Sequence, residues 1–152
     1  MPRLDDAQLE SLVNRAWEAR LNAYAPYSQF HVGAALLTAD GRIFTGANME
    51  NASLGLSMCA ERVAMGAAAA AGARSIVAIA VAGGDADGVL PCGACRQVLS
   101  EFSPSMLVIC GRPDGSYKVT SLGRLLSSPF TGASLEKSKA TEREPAVAGA
   151  AS

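Results

Sequence analysis

The stretch SIVAIAVAG, residues 75–83, constrains the fold more than any other part of the chain. It is apolar at odd and even positions alike. Successive side chains of a strand point to opposite faces, so this strand must be covered on both sides, as interior strands between two helical layers are. The rest of the chain supplies the layers. Residues 5–24 place Leu9, Leu12, Val13, Ala16 and Trp17 at helical spacing behind Asp5 or Asp6 as cap. Residues 30–50 read as two strands joined by a tight turn at Asp40-Gly41. CAERVAMGAAAAAGA, 59–73, predicts a helix stopped by Gly72. CGACRQVLSEF (92–102) predicts a helix, SMLVICG (105–111) and YKVTSL (117–122) strands, and LGRLLSS (122–128) a last helical turn. Residues 51–57 and 83–91 read as loops. The order α-β-β-α-β-α-β-β-α predicts an α/β chain, a three-layer α/β/α sandwich around a mixed sheet of about five strands.

With 152 residues, 49% of them hydrophobic and 18% charged, the chain has material for one cored domain. That domain is expected over 1–130. The segment 131–152 has no apolar periodicity beyond Leu135 and reads as a flexible tail. Thirteen basic against fourteen acidic residues leave no basic excess, so a nucleic-acid partner is not expected. The most apolar run, VAMGAAAAAGA at 63–73, is far short of the roughly 20 residues that span a bilayer. Acids near the N-terminus replace the basic region of a signal peptide. The expectation is a cytoplasmic protein with no membrane association.

In that compartment the cysteines at 59, 92, 95 and 110 are expected as metal ligands or redox groups rather than disulfides. Cys110 sits in an apolar strand and reads as a small core residue. Cys59 opens one predicted helix, and Cys92 and Cys95 open another. Helix N-termini carry free N–H groups and the positive end of the dipole, which favour thiolate. Three thiolates from two helix starts can hold one tetrahedral cation with a position left open, the arrangement of a catalytic zinc rather than a structural one. Glu61 lies two residues from a ligand. A carboxylate there can move a proton to and from activated water. Taken alone, Glu61 is an ordinary first-turn glutamate. The pairing of C-A-E with P-C-x-x-C is the pattern of zinc nucleobase deaminases, with Cys in place of His.

Together, YAPYSQFHVGAALLTADGRIFTGANMENAS, CAERVAM and PCGACRQVLSEF, with SLGRLLSSPF more weakly, resemble the cytidine deaminases of the small, three-cysteine, homotetrameric class, over most of residues 24–130. The resemblance implies zinc on Cys59, Cys92 and Cys95, and Glu61 as proton shuttle. It implies a nucleoside pocket that includes Phe30, Asn48, Glu50 and Ala60, with Asn48 and Glu50 on the ribose and Phe130 reaching a neighbouring subunit's site. Two apart on a strand, Asn48 and Glu50 would point the same way. Three thiolates and Zn²⁺ sum to −1, and Arg62 is expected to offset that charge by hydrogen bonding to a ligand sulfur. Arg96 and Gln97 are candidates to support the site.

The implied reaction is hydrolytic deamination of cytidine and deoxycytidine, with zinc as sole cofactor. Departures from the family pattern are Leu54, where an aromatic is common, and LLSSPF in place of an LLP ending. The related deaminases of the cytosine analogue blasticidin S are the nearest alternative. Two others are a structural zinc module completed by Cys110 or His31, and a thiol oxidoreductase using Cys92 and Cys95.

Overall fold

The strand SIVAIAVAG forms β3 (Ile76–Gly83), the middle strand of five. The computed structural model describes residues 4–140. The other strands are β1 (Val32–Thr38), β2 (Ile43–Ala47), β4 (Leu107–Gly111) and β5 (Tyr117–Ser121), in the order β2-β1-β3-β4-β5. Only β3 and β4 are parallel, so the sheet is mixed. The faces of β3 differ in side-chain size. Ala78, Ala80 and Ala82 pack under α1 (Asp6–Arg20) with Leu9, Leu12, Val13 and Ala16. Ile79 and Val81 face α2 (Ala60–Ala70) and α3 (Gly93–Phe102), among Ala64, Met65, Ala68 and Leu99. Helices thus cover both faces, and the architecture is the three-layer sandwich expected.

Local signals account for the element ends. Asp5 caps α1 through a reciprocal box: its carboxylate accepts from the Gln8 N–H at 2.8 Å and its own N–H donates to Gln8 Oε1 at 3.0 Å. At the end of α2, Gly72 takes φ +81° and Ala73 N–H closes on Ala68 O at 2.9 Å, a left-handed termination that glycine tolerates without strain. The β1–β2 connection turns at Ala39-Asp40-Gly41 as expected: Gly41 takes φ +85° and its N–H closes on Thr38 O at 3.0 Å, while Thr38 N–H donates to Arg42 O at 3.0 Å. It is tied by the Arg42–Asp40 ion pair at 2.8 Å.

The predicted final helical turn is α4 (Leu122–Leu125). Beyond it lies α5 (Gly132–Ala140), where the sequence offered no periodicity to announce a helix. The remainder of the predicted tail, 141–152, lies outside the described residues. Among the described residues no helix is long and apolar enough to cross a membrane.

Strand register gathers the site. Val32, at the start of β1, pairs with Gly83 at the end of β3, and Gly33 pairs with Ala47 at the end of β2. The entry to β1, the exit of β2 and the exit of β3 therefore share one end of the sheet. The chain leaving β3 leads into α3, so the α3 N-terminus lies at that end too. This is the crevice beyond the carboxyl ends of parallel strands where ligands commonly bind in α/β sheets.

Candidate metal centre and pocket

Cys59 is the N-cap of α2 and Cys92 the N-cap of α3, each in extended backbone and neither making a side-chain capping bond. Their sulfurs are left for other work. Cys59 Sγ lies 3.8 Å from Cys92 Sγ, and Cys92 Sγ lies 3.5 Å from Cys95 Sγ. All three thiols lie within 4.8 Å of one another, forming the one group of potential metal ligands among the described residues. Zinc–sulfur bonds of about 2.3 Å at tetrahedral angles put sulfurs about 3.8 Å apart. The trio therefore fits a single zinc ion, with a fourth position open.

The electrostatics favour an anionic sulfur at Cys59. Cys59 is held down to about 5 by hydrogen bonding from the Cys95 thiol, with the Arg62 guanidinium adding to the effect. Cys95 is pushed up by the same contact and by burial. Arg62 Nη2 points at Cys59 Sγ from 3.8 Å and at Ser57 O from 3.4 Å.

Glu61, one residue past the α2 N-terminus, is 4% exposed. Its carboxyl is pushed above the usual range by burial, with the negative Cys59 acting in the same direction. A cavity of about 160 Å³ opens between these groups, lined by Phe30, Val32, Asn48, Cys59, Ala60, Glu61, Val89, Leu90 and Cys92. Glu61 is the one carboxylate in that lining. A larger groove of about 560 Å³ between α1 and the β1–β2 connection holds no thiol, histidine or buried carboxylate.

The residues expected at the pocket are placed unevenly. Phe30, Asn48, Ala60 and Glu61 line it. Asn48 and Glu50 lie just beyond β2, in an extended stretch where Met49 bridges to Tyr24 and Met58, rather than on the strand itself. Asn48 Oδ1 accepts from Val32 N–H and its Nδ2 donates to Phe30 O, both at 2.8 Å. Glu50 lies outside the lining. Its carboxylate accepts from the Tyr27 N–H at 2.8 Å, the Ser28 N–H at 3.2 Å and the Ser28 hydroxyl. Phe130 is 61% exposed and is not among the residues that line this chain's own cavity.

Val32, Val89 and Leu90 belong to the wall and were not singled out from sequence. An apolar pair directly before PCGAC in a polar loop was the available signal. Cys110 is buried elsewhere, its thiol donating to Asp87 O at 3.8 Å. His31 precedes β1 and its carbonyl accepts from Arg20 Nε at 2.9 Å. Neither joins the sulfur trio, which removes the closed structural zinc site. The convergence of Cys59 with the C-x-x-C pair likewise leaves the oxidoreductase reading without support.

A family described as "Cytidine and deoxycytidylate deaminase zinc-binding region" matches residues 6–111. The chain belongs to this family. Relatives in the cytidine and deoxycytidylate deaminase family include the cytidine deaminase of Halalkalibacterium halodurans, 47% identical over 123 residues, covering 80% of this chain and 93% of that one. The probable cytidine deaminase of Dictyostelium discoideum is 42% identical, covering 93% and 97%. The crystal structure of cytidine deaminase from Burkholderia pseudomallei superposes with TM-score 0.76 at 48% identity, covering 84% of this chain and 100% of that one. These deaminases carry the sulfur trio's zinc reading to the level of the family: the group to which this chain belongs is defined by a zinc-binding region that contains all three thiols.

Proposed function

We propose that this chain is a zinc-dependent cytidine and deoxycytidine deaminase of pyrimidine salvage, acting in the cytoplasm as a homotetramer. The observation that carries the chemistry is the buried Glu61 facing the same small cavity as two of the three converging thiols. Cys59, Cys92 and Cys95 hold the zinc, which when bound supplies a Lewis acid that lowers the pKa of water to about 7.

The chain's own groups do the rest. Glu61, whose burial raises its proton affinity, takes a proton from the attacking water and delivers it to cytosine N3. It then takes the proton of the newly formed C4 hydroxyl and passes it to the amino group, so that the C4–N bond breaks, ammonia leaves and the C4 carbonyl of uridine forms. Arg62 spreads positive charge over the Cys59 sulfur and keeps three thiolates from cancelling the metal's acidity. Phe30, Val32 and Leu90 give the pyrimidine ring apolar walls. The Ala60 N–H, in the first turn of α2, has no intrahelical acceptor and faces the base. Asn48 retains one amide hydrogen and a lone pair for the ribose. Glu50 acts on the ribose at one remove, by fixing the 27–28 turn, or directly through its remaining lone pairs.

The assembly reading rests on the size of the site. A cavity of about 160 Å³ is well under the roughly 300–1,000 Å³ of a complete ligand pocket. Tyr27, Phe30, Met49, Leu54, Leu56 and Phe130 are exposed apolar side chains, suited to contact with other copies that complete the walls.

The test is loss of ultraviolet absorbance with cytidine and deoxycytidine for the wild type and Glu61→Gln, with zinc counted in both. One zinc per chain and turnover on both nucleosides are expected. Glu61→Gln is expected to keep its zinc and its KM but lose at least ~10²-fold in kcat, the scale of general acid–base catalysis. A fully active Glu61→Gln overturns the proton-shuttle role, and a zinc-loaded wild type inert on both nucleosides overturns the substrate.

A further inference from the structure

Arg96 follows the last thiol of the trio, yet its guanidinium bonds two backbone carbonyls rather than a sulfur. Its Nε donates to Pro91 O at 2.7 Å and its Nη1 to Leu125 O at 3.0 Å. We propose that Arg96 is a positioning residue for the metal ligand Cys92, acting through the carbonyl of Pro91; the inference rests on the zinc reading above.

Pro91 and Cys92 share a peptide plane. Rotation of that plane moves the Pro91 oxygen and re-aims the Cys92 Cα–Cβ bond together, so pinning the oxygen fixes the direction of the sulfur. Pro91 is fully buried, and its carbonyl lies ahead of the helix, where no ladder bond reaches it. Its short bond to a cation is a strong one. Cys92 is the trio member that most needs such help. Cys95 is 0% exposed and held by packing, whereas Cys92 is exposed. The same turn carries Val89 and Leu90 into the pocket wall.

The second grip explains why the residue is arginine. With Nη1 anchored on Leu125 O in α4, the fork cannot swing, and its planar geometry serves two carbonyls at once. A lysine keeps the charge but presents one ammonium, and cannot hold both oxygens in that geometry. The neighbouring Gln97 gives an internal comparison. It also clasps the C-terminal segment, Nε2 to Phe130 O at 2.7 Å, but makes no bond to the ligand turn.

The experiment is the rate at which zinc passes from the intact holoenzyme to an excess of chromogenic chelator at 25 °C, for wild type, Arg96→Lys, Arg96→Gln, Gln97→Ala and Val98→Ala. Both Arg96 variants are expected to release zinc about 10–100-fold faster, the usual loss when a group supporting a metal ligand is removed. Gln97→Ala and Val98→Ala are expected to release it at the wild-type rate, Val98→Ala serving as a packing loss on the same helix. Wild-type release from Arg96→Lys overturns the proposal. So does equally fast release from Val98→Ala, which would mean general loosening of α3, and so does an Arg96→Lys chain that cannot fold, which would make the role structural. A wild type that cannot be loaded with zinc overturns the metal reading and this inference with it, whereas a tightly loaded wild type beside an unaltered Arg96→Lys overturns the inference alone.

Discussion

Two residues that the sequence placed side by side, Asn48 and Glu50, do different work. Asn48 joins β1's entry to β2's exit through Val32 and Phe30 while facing the cavity. Glu50 is turned to the 27–28 turn, where its carboxylate gathers two N–H groups and a hydroxyl. The Ser28 hydroxyl, followed by the Tyr27 and Ser28 N–H groups, holds the Glu50 carboxyl below its ordinary 4.5. An acid whose pKa is lower folded than unfolded adds stability above the unfolded value and loses it as pH falls through the folded one. Glu50→Gln is therefore expected to lower the melting temperature at pH 7. The gap from wild type should hold down to about pH 4.5 and close below it, as wild-type Glu50 takes up its proton. Thermal scans of the two proteins from pH 7 to pH 3 check this. A gap that persists undiminished at the acid end would mean that Glu50 acts by shape rather than charge. None of these bonds was legible in the sequence, because a side chain reaching a backbone group 22 or 23 residues away leaves no period to read.

The elements that matter most are the first turns of α2 and α3, and one glycine sets how closely α2 approaches the sheet. A Cβ on Gly46 would fall 2.4 Å from Ala60 O and 2.5 Å from Ala64 N. Strand β2 and the first turns of α2 thus touch backbone to backbone, just behind Cys59 and Glu61. Gly46→Ala must push α2 outward, at about 1–3 kcal/mol for an overpacked core, and take Cys59 out of reach of the other sulfurs. A lower denaturant midpoint and a fall in bound zinc are expected together, read by urea titration and metal analysis of the same preparation. Full zinc content with unchanged stability would mean that α2 tolerates the shift. At this scale the sequence was most readable. Helical spacing in 5–24, apolar faces in 75–83 and the cysteines at two helix starts each reflect a local period or cap. Helix α5 escaped because Leu135 is the one large apolar residue in its span, which leaves no helical stripe to read.

At the scale of the molecule, Cys59, Glu61, Cys92 and Cys95 came from motif spacing, while Phe30, Asn48, Glu50 and Phe130 came from the family resemblance; under the assembly proposed above, another copy completes the pocket mouth. One chain encloses a small cavity beside the sulfur trio and leaves Phe130 61% exposed, its carbonyl held by Gln97. An aromatic ring on an anchored backbone yet left in water is suited to a surface it does not itself contain. If that surface is another copy's pocket mouth, burying the ring contributes roughly 1.5–3 kcal/mol, or about 10–100-fold in substrate binding. Phe130→Ala is then expected to raise KM by about that factor, with zinc content and the mass by light scattering unchanged. The decisive version mixes two defects. Chains with Glu61→Gln have no proton shuttle but an intact Phe130, and Phe130→Ala chains have the reverse. Co-expressed, they form assemblies in which a Glu61-bearing pocket receives Phe130 from a Glu61→Gln neighbour. That pocket is whole although neither parent has one, so a fraction of activity with wild-type KM should appear in the mixture. If the mixture shows only the raised KM of Phe130→Ala, diluted by inactive chains, the ring serves its own chain or none, and the cavity must be completed by other groups.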